Sequence, residues 1–204
     1  MIINKKNFIY LISPNKIQKS FYDDLSEVLK LKKVAFFQLR LKDLSLNKRL
    51  SIGKKVKKIC KKYKTKFLIN DDALLAKKLD ADGCHLGQKD MPLSTARKLL
   101  GEKIIGITCH NSIKLANIAV KNKADYIAFG AFYSSKTKKV KYKASIQILE
   151  KARKIIKTPI VAIGGINSSN YKKLLLNKAN FLAISGYVWK NKKLKPIDAI
   201  KKLI

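Results

Sequence analysis

Eight short runs of β-branched and aromatic residues, set apart by Lys-rich amphipathic segments, constrain this 204-residue chain more than any other feature. The runs are FIYLIS (Phe8 to Ser13), AFFQLRL (Ala35 to Leu41), KFLIN (Lys66 to Asn70), GCHLG (Gly83 to Gly87), IIGIT (Ile104 to Thr108), YIAFGAF (Tyr126 to Phe132), PIVAIGG (Pro159 to Gly165) and FLAISGYV (Phe181 to Val188). Their spacing of roughly 20 to 25 residues leaves room for one helix in each interval. Strands alternating with helices imply a parallel sheet covered by helices. Eight such units close a (β/α)8 TIM barrel, and this α/β chain is near the compact end of that fold's range. No linker and no low-complexity tract beyond the Lys bias interrupts the pattern, so residues 1–204 are expected to form a single catalytic domain.

Hydrophobic residues make up 47% of the chain, enough for a sizeable core. No apolar run approaches the ~20 residues that a membrane span needs, so no membrane partner is expected. The N-terminal MIINKKNFIYLISPNK reads as a first strand and not as a signal peptide. Cys60, Cys84 and Cys109 form neither a CxxC pair nor a metal-ligand pattern with His85 and His110, and read as reduced, buried thiols. A cytoplasmic location follows.

Lys and Arg outnumber Asp and Glu by 46 to 13, a net charge of +33. Clustered cations would suggest phosphate-backbone binding. Here Lys is spread over nearly every helical segment, and only four residues are Arg: Arg40, Arg49, Arg97 and Arg153. Solvated helix faces account for such a pattern, and no specific nucleic-acid partner is expected. The acidic residues, by contrast, crowd into FLINDDALLAKKLDADGCHLGQKDMP, Phe67 to Pro92.

In a barrel, chemistry sits at the C-terminal strand ends. Polar residues gather there: Gln38, Arg40 and Lys42; Asn70 and Asp71; Gln88 and Asp90; Thr108 and His110; Ser134 to Lys138; Gly164 and Gly165; Ser185. A period of two places Gln38, Arg40 and Lys42 on one side of their strand and Leu39 and Leu41 on the other, an arrangement suited to an anion. Asp71 ends the third strand and Asp90 follows the fourth, its neighbour, and the pair suits Mg2+, which takes few protein oxygens and a substrate phosphate; a turn or cap role fits them equally. Asp72, Asp80 and Asp82 read as helix-start and loop residues. Gly164-Gly165 would let an anion approach main-chain N–H groups beside AISG on the last strand. Cys109 and His110 point to opposite faces and make no nucleophile pair; His85 reads as a hydrogen-bonded interior histidine, and His110 as a candidate proton carrier.

The ordered set resembles the thiamine-phosphate synthase family, which has thiazole tautomerase-like relatives. QLRLK is similar to that family's Q-x-R-x-K segment, IND and DGCHLGQKD to its metal-bearing strands, and GITCHN, DYIAFGAF, KTKK, VAIGGI and AIS follow in order over essentially the whole chain. The resemblance implies an Mg2+-dependent transferase coupling an aminomethylpyrimidine diphosphate with a thiazole phosphate to give thiamine phosphate and diphosphate. It implies that Gln38, Leu39, Arg40, Leu41, Lys42, Asn70, Thr108 and Lys138 line the pyrimidine diphosphate site, with Arg40, Lys42 and Lys138 catalytic. By the same resemblance Asp71 and Asp90 ligate Mg2+, and Ser135, Lys136, Thr137, Gly165, Ile184 and Ser185 meet the thiazole phosphate. The chain departs from the family in having Ser134-Ser135 where Pro-Thr is usual, and Lys178 and Asn180 where Gly and Asp are frequent. The partners implied are small-molecule substrates, and a homo-oligomer is allowed. A thiazole phosphate tautomerase is the nearest alternative, and a Lys-rich nucleic-acid-binding protein is a remote one.

Overall fold

The computed structural model describes residues 7–134 and 141–204. Eight parallel strands, β1 (Ile9–Ile12), β2 (Val34–Leu39), β3 (Lys66–Asn70), β4 (Gly83–Leu86), β5 (Ile104–His110), β6 (Tyr126–Gly130), β7 (Ile160–Ile163) and β8 (Phe181–Ile184), close into a barrel in sequence order. The intervening helices are α1 (Phe21–Lys30), α2 (Leu46–Lys62), α3 (Ala73–Lys78), α4 (Leu93–Leu100), α5 (Ile113–Lys121), α6 (Gln147–Ile155) and α7 (Tyr171–Leu176); α8 (Gly186–Trp189) and α9 (Pro196–Lys201) follow the last strand. The (β/α)8 expectation is met, with ends that differ in detail. β6 stops at Gly130 because Ala131 pairs with the returning chain, donating to the Tyr142 carbonyl and accepting from Ala144. β8 stops at Ile184 because the Ser185 carbonyl accepts the amides of Val188 and Trp189 and starts a helical turn.

Alternation along each strand divides the apolar residues into two sets. One set, among them Leu11, Phe37, Ile69, Leu86, Ile107 and Ile184, packs outward under the helices. The other, Tyr10, Phe36, Leu68, Tyr126, Val161 and Phe181 with three small or branched neighbours, fills the barrel. Its rings interlock at centroid separations of 5.3 Å (Tyr10 to Phe36) and 4.9 Å (Phe36 to Phe181). Gly106 belongs to this arrangement, since a Cβ there would run into the Tyr126 ring.

The face of the barrel opposite the mouth shows where part of the scarce acid goes. Asp82, Asp125 and Asn180 each stand just before β4, β6 or β8 and repeat one two-bond motif. Their amides donate to the carbonyls of Phe67, Ile105 and Ile160 at 2.8–2.9 Å. Their side-chain oxygens accept the amides of those same three residues at 2.8–2.9 Å. The Asn at 180 therefore does the work of an Asp. Cations fasten two of the three, Lys66 on Asp82 at 2.9 Å and Arg97 on Asp125 at 2.5 Å. Asp80 sits between Lys57 and Lys103 at 2.9 and 2.6 Å.

Asp125→Ala leaves the Ile105 amide without its acceptor, so the urea unfolding free energy is expected to fall by about 1–3 kcal/mol. Asn180→Asp keeps the acceptor and is expected to change it by less than about 0.5 kcal/mol. Equal stability of both variants and the parent would refute the motif's structural role.

Candidate active site

At the C-terminal ends of the strands, the apolar filling of the barrel gives way to a polar floor. Buried hydroxyls in such a place require partners, and here they find one another. Gln38 donates through Nε2 to the Tyr10 hydroxyl at 2.8 Å, and Tyr10 meets the Tyr126 hydroxyl at 2.7 Å. Tyr126 in turn meets His85 Nδ1 at 2.9 Å, and His85 Nε2 meets Thr108 Oγ1 at 2.8 Å. Burial pushes both phenols up, so they stay protonated. Burial also holds His85 down at about 4, with the Asp71 charge opposing it weakly. At neutral pH the floor is therefore an uncharged chain of donors and acceptors.

Charge begins one layer above. β3 ends at Asn70, and Asp71 takes a left-handed conformation (φ 64°) while its amide donates to the His85 carbonyl at 2.8 Å. Asp tolerates this conformation better than most residues do. Its carboxylate meets Lys42 Nζ at 2.8 Å. Burial works to raise the Asp71 pKa, but Lys42, helped by hydrogen bonds from Asp90 and Asn70, lowers it overall. Asp90 is raised, by burial first and by the Asp71 charge, against the Gly87 amide that its Oδ2 accepts at 2.7 Å. The two carboxylates are hydrogen-bonding neighbours held in opposite directions, as expected of a pair that repels until a cation joins it. Asp71 opens onto a cleft of about 350 Å3 that is also lined by Leu41, Lys42, Arg49, Asn70, Asp72, Ala73 and Met91. Among the described residues no set of three or more His, Cys, Asp or Glu side chains could hold a metal. Two carboxylates and an amide form a hard, oxygen-only donor set, which fits an ion that keeps its waters and a substrate phosphate.

The three polar residues of QLRLK do not converge as alternation alone predicts. β2 ends at Leu39, so the period of two stops there. Gln38 is committed to the floor, Arg40 donates to Asn15 Oδ1 at 2.6 Å on the β1 side, and Lys42 turns to Asp71 on the β3 side. Leu39 and Leu41 are buried among the outward core residues, leaving main chain as what they can offer a ligand. Ile184 lies in the same outer core, and the Ser185 hydroxyl donates to the Ser13 carbonyl at 3.2 Å.

Gly164 and Gly165 adopt φ of 109° and 61°. The expectation that their missing side chains leave room for a ligand is corrected in part. A Cβ on Gly164 would strike Ala131, and one on Gly165 would strike Ser134 and Tyr133, so the chain after β6 fills that space. Ser135, Lys136, Thr137 and Lys138 lie outside the described residues. His110 stacks on Tyr142 with ring centroids 4.2 Å apart. Asp72 is the α3 N-cap, accepting from Leu75 at 2.8 Å, and pairs with Arg49 at 2.9 Å.

Sequence reading missed Tyr10, Tyr126 and Ser13. The first two carried a local signal, a phenol hydroxyl set within an otherwise apolar strand run.

Comparison with known proteins agrees with this geometry. Residues 9–188 match the family model described as thiamine monophosphate synthase. A thiamine-phosphate synthase of Pelagibacter ubique is 70% identical over 203 residues, covering 98% of this chain and 97% of that one. A thiamine-phosphate synthase of Erythrobacter litoralis is 38% identical, covering 96% and 94%. The solved structure of a thiamine phosphate pyrophosphorylase from Pyrococcus furiosus superposes with a TM-score of 0.86 at 27% identity, covering 98% of this chain and 95% of that one.

The floor makes a pH prediction. His85 is neutral in the fold, with its pKa at about 4 against 6.5 for a free imidazole, so the unfolded chain binds the extra proton. The associated stability is complete above pH 6.5 and is lost as pH falls toward 4. Its share between pH 7 and 5 is about 2 kcal/mol. Urea unfolding at the two pH values, for the parent and His85→Gln, is expected to show a drop in the parent that is smaller by that amount in the variant. Equal drops would contradict a buried, neutral His85.

Proposed function

The chain belongs to the thiamine monophosphate synthase family, and we infer that its barrel mouth joins 4-amino-2-methyl-5-(diphosphomethyl)pyrimidine to a thiazole phosphate, giving thiamine phosphate and diphosphate. The observation that carries the reading is the cluster of Lys42, Asp71 and Asp90 beside Asn70, directly above an uncharged floor. The bond from the pyrimidine's methylene carbon to diphosphate oxygen breaks with its electron pair leaving on oxygen. The lone pair of the thiazole nitrogen then forms the new C–N bond. That nitrogen has no proton to lose, so the step needs no general base on the nucleophile.

Charge stabilisation is what such a step needs. Arg40 and Lys42 would meet the departing diphosphate from either side of β2, and Lys138 is assigned with them on family resemblance. Asp71 and Asp90 are the residues that would hold Mg2+, which when bound neutralises diphosphate charge. Gln38, Tyr10, Tyr126, His85 and Thr108 offer neutral donors and acceptors to the polar edge of an aminopyrimidine. Leu39 and Leu41 would contribute main chain at that site. Gly165, Ile184 and Ser185, at the ends of β7 and β8, are assigned with Ser135, Lys136 and Thr137 to the thiazole phosphate. A tautomerase acting on the thiazole phosphate would have no use for the carboxylate pair and Lys42, which disfavours it.

We read residues 1–204 as one catalytic domain, allow a homo-oligomer, and expect no specific nucleic-acid partner. No helix among the described residues is long and apolar enough to cross a membrane. Cys60, Cys84 and Cys109 are free, buried and held above the usual thiol range by burial, which supports placing the enzyme in a reducing cytoplasm.

With both substrates and Mg2+, the protein is expected to form thiamine phosphate. Thiazole isomerisation without coupling would move the assignment to the tautomerase. Arg40→Lys keeps the charge but loses the planar fork, and should slow single-turnover chemistry by roughly 10- to 150-fold while leaving thiazole phosphate affinity nearly unchanged. A normal chemical step, or a defect confined to thiazole affinity, would remove Arg40 from the diphosphate.

A further inference from the structure

The short turn after β1 grips Arg40 at both ends. Ser13 is 1% exposed, one of three buried polar or charged residues recorded among those described. Its Oγ accepts the Arg40 amide at 2.9 Å, while the hydroxyl proton has the Pro14 carbonyl at 3.1 Å and, at a longer 3.4 Å, the Arg40 carbonyl. Its amide donates to the Gln38 carbonyl at 2.9 Å. Its carbonyl accepts the Ser185 hydroxyl at 3.2 Å. Two residues on, Asn15 Oδ1 accepts Arg40 Nη1 at 2.6 Å.

These contacts begin where β2 stops. Leu39 is the last residue whose main chain is fixed by the strand, and an arginine one position later would otherwise swing with a solvated loop. A guanidinium has five N–H donors, and one bond to Asn15 leaves four for a ligand while tethering Nη1 and so narrowing the directions in which they point. The Ser13 hydroxyl fixes the other end of the same residue, the peptide from which the side chain springs. A contact of this kind repays the entropy of ordering a long side chain before substrate arrives.

We propose that Ser13 and Asn15 are positioning residues that aim the Arg40 guanidinium at the leaving diphosphate. This rests on the reading of Arg40 given above. The two act through different atoms, Ser13 on the backbone and Asn15 on the side chain, and neither needs to touch substrate.

A double-mutant cycle tests it. Ser13→Ala, Asn15→Ala and Arg40→Ala are made singly, and the first two are also combined with Arg40→Ala; single-turnover rates and the KM for each substrate are measured. Asn15→Ala truncates an exposed side chain away from the core, so it keeps the test valid if Ser13→Ala proves unstable. In the parent, each truncation is expected to lower the chemical rate by about 3- to 30-fold with less than about a twofold change in thiazole phosphate KM. In the Arg40→Ala background the same truncations should change the rate by less than about twofold, because the group they aim is gone. Asn15→Asp, which keeps an acceptor for Arg40, should restore at least half of the lost rate. Full additivity in the cycle, or a loss borne by thiazole KM, would overturn the positioning role. Normal chemistry in Arg40→Ala itself would instead overturn the reading of Arg40.

Discussion

Closure of the sheet by β1 is the constraint on which the rest of the molecule depends. This strand has four residues, yet it pairs on one side with β2, Ile12 against Gln38, and on the other with β8, Leu11 against Ile184. Without it the barrel is an open sheet with two exposed edges, and the two halves of the mouth have no fixed separation. Closure also supplies the interior. Tyr10 can meet Tyr126 only because the first and sixth strands face each other across a closed ring, and the polar floor of the site hangs on that meeting.

Electrostatics explains how so basic a chain tolerates its charge and where its acids are needed. Carboxylates at the N-terminal face satisfy strand amides, at Asp82 and Asp125, and gather cations into local pairs, Lys57 and Lys103 on Asp80, Lys66 on Asp82 and Arg97 on Asp125. At the opposite face Asp71 and Asp90 lie close together, and among the described residues only Asp71 forms an ion pair with a lysine, Lys42. The first arrangement consumes its charges in stability. The second leaves negative charge unspent at the mouth, in the midst of cations, where a metal and an anionic substrate can use both signs.

Much of this was legible in the sequence because it follows from short-range periodicity. The eight strands and their order come from apolar runs at even spacing, and the adjacency of Asp71 and Asp90 comes from neighbouring strands that are each followed by an acid. What was hidden depends on long-range geometry or on where a period stops. Tyr10 and Tyr126 are 116 positions apart, and nothing local marks them as partners. The end of β2 at Leu39 separates Arg40 from Lys42, although continued alternation would have kept them together. At Gly164-Gly165 part of the space left by the missing side chains is taken by the chain after β6, since an absent Cβ does not say what fills the gap.

The central claim is that the carboxylates of Asp71 and Asp90, just beyond β3 and in the turn after β4, form a metal-diphosphate site in this mouth. Mn2+ in place of Mg2+, followed by electron paramagnetic resonance with and without inorganic diphosphate, measures this without catalysis. The account predicts weak Mn2+ binding alone, tighter binding when diphosphate is present, and a loss of about tenfold or more in Asp71→Asn and in Asp90→Asn. Mn2+ binding in the presence of diphosphate that is the same in both variants as in the parent would contradict it.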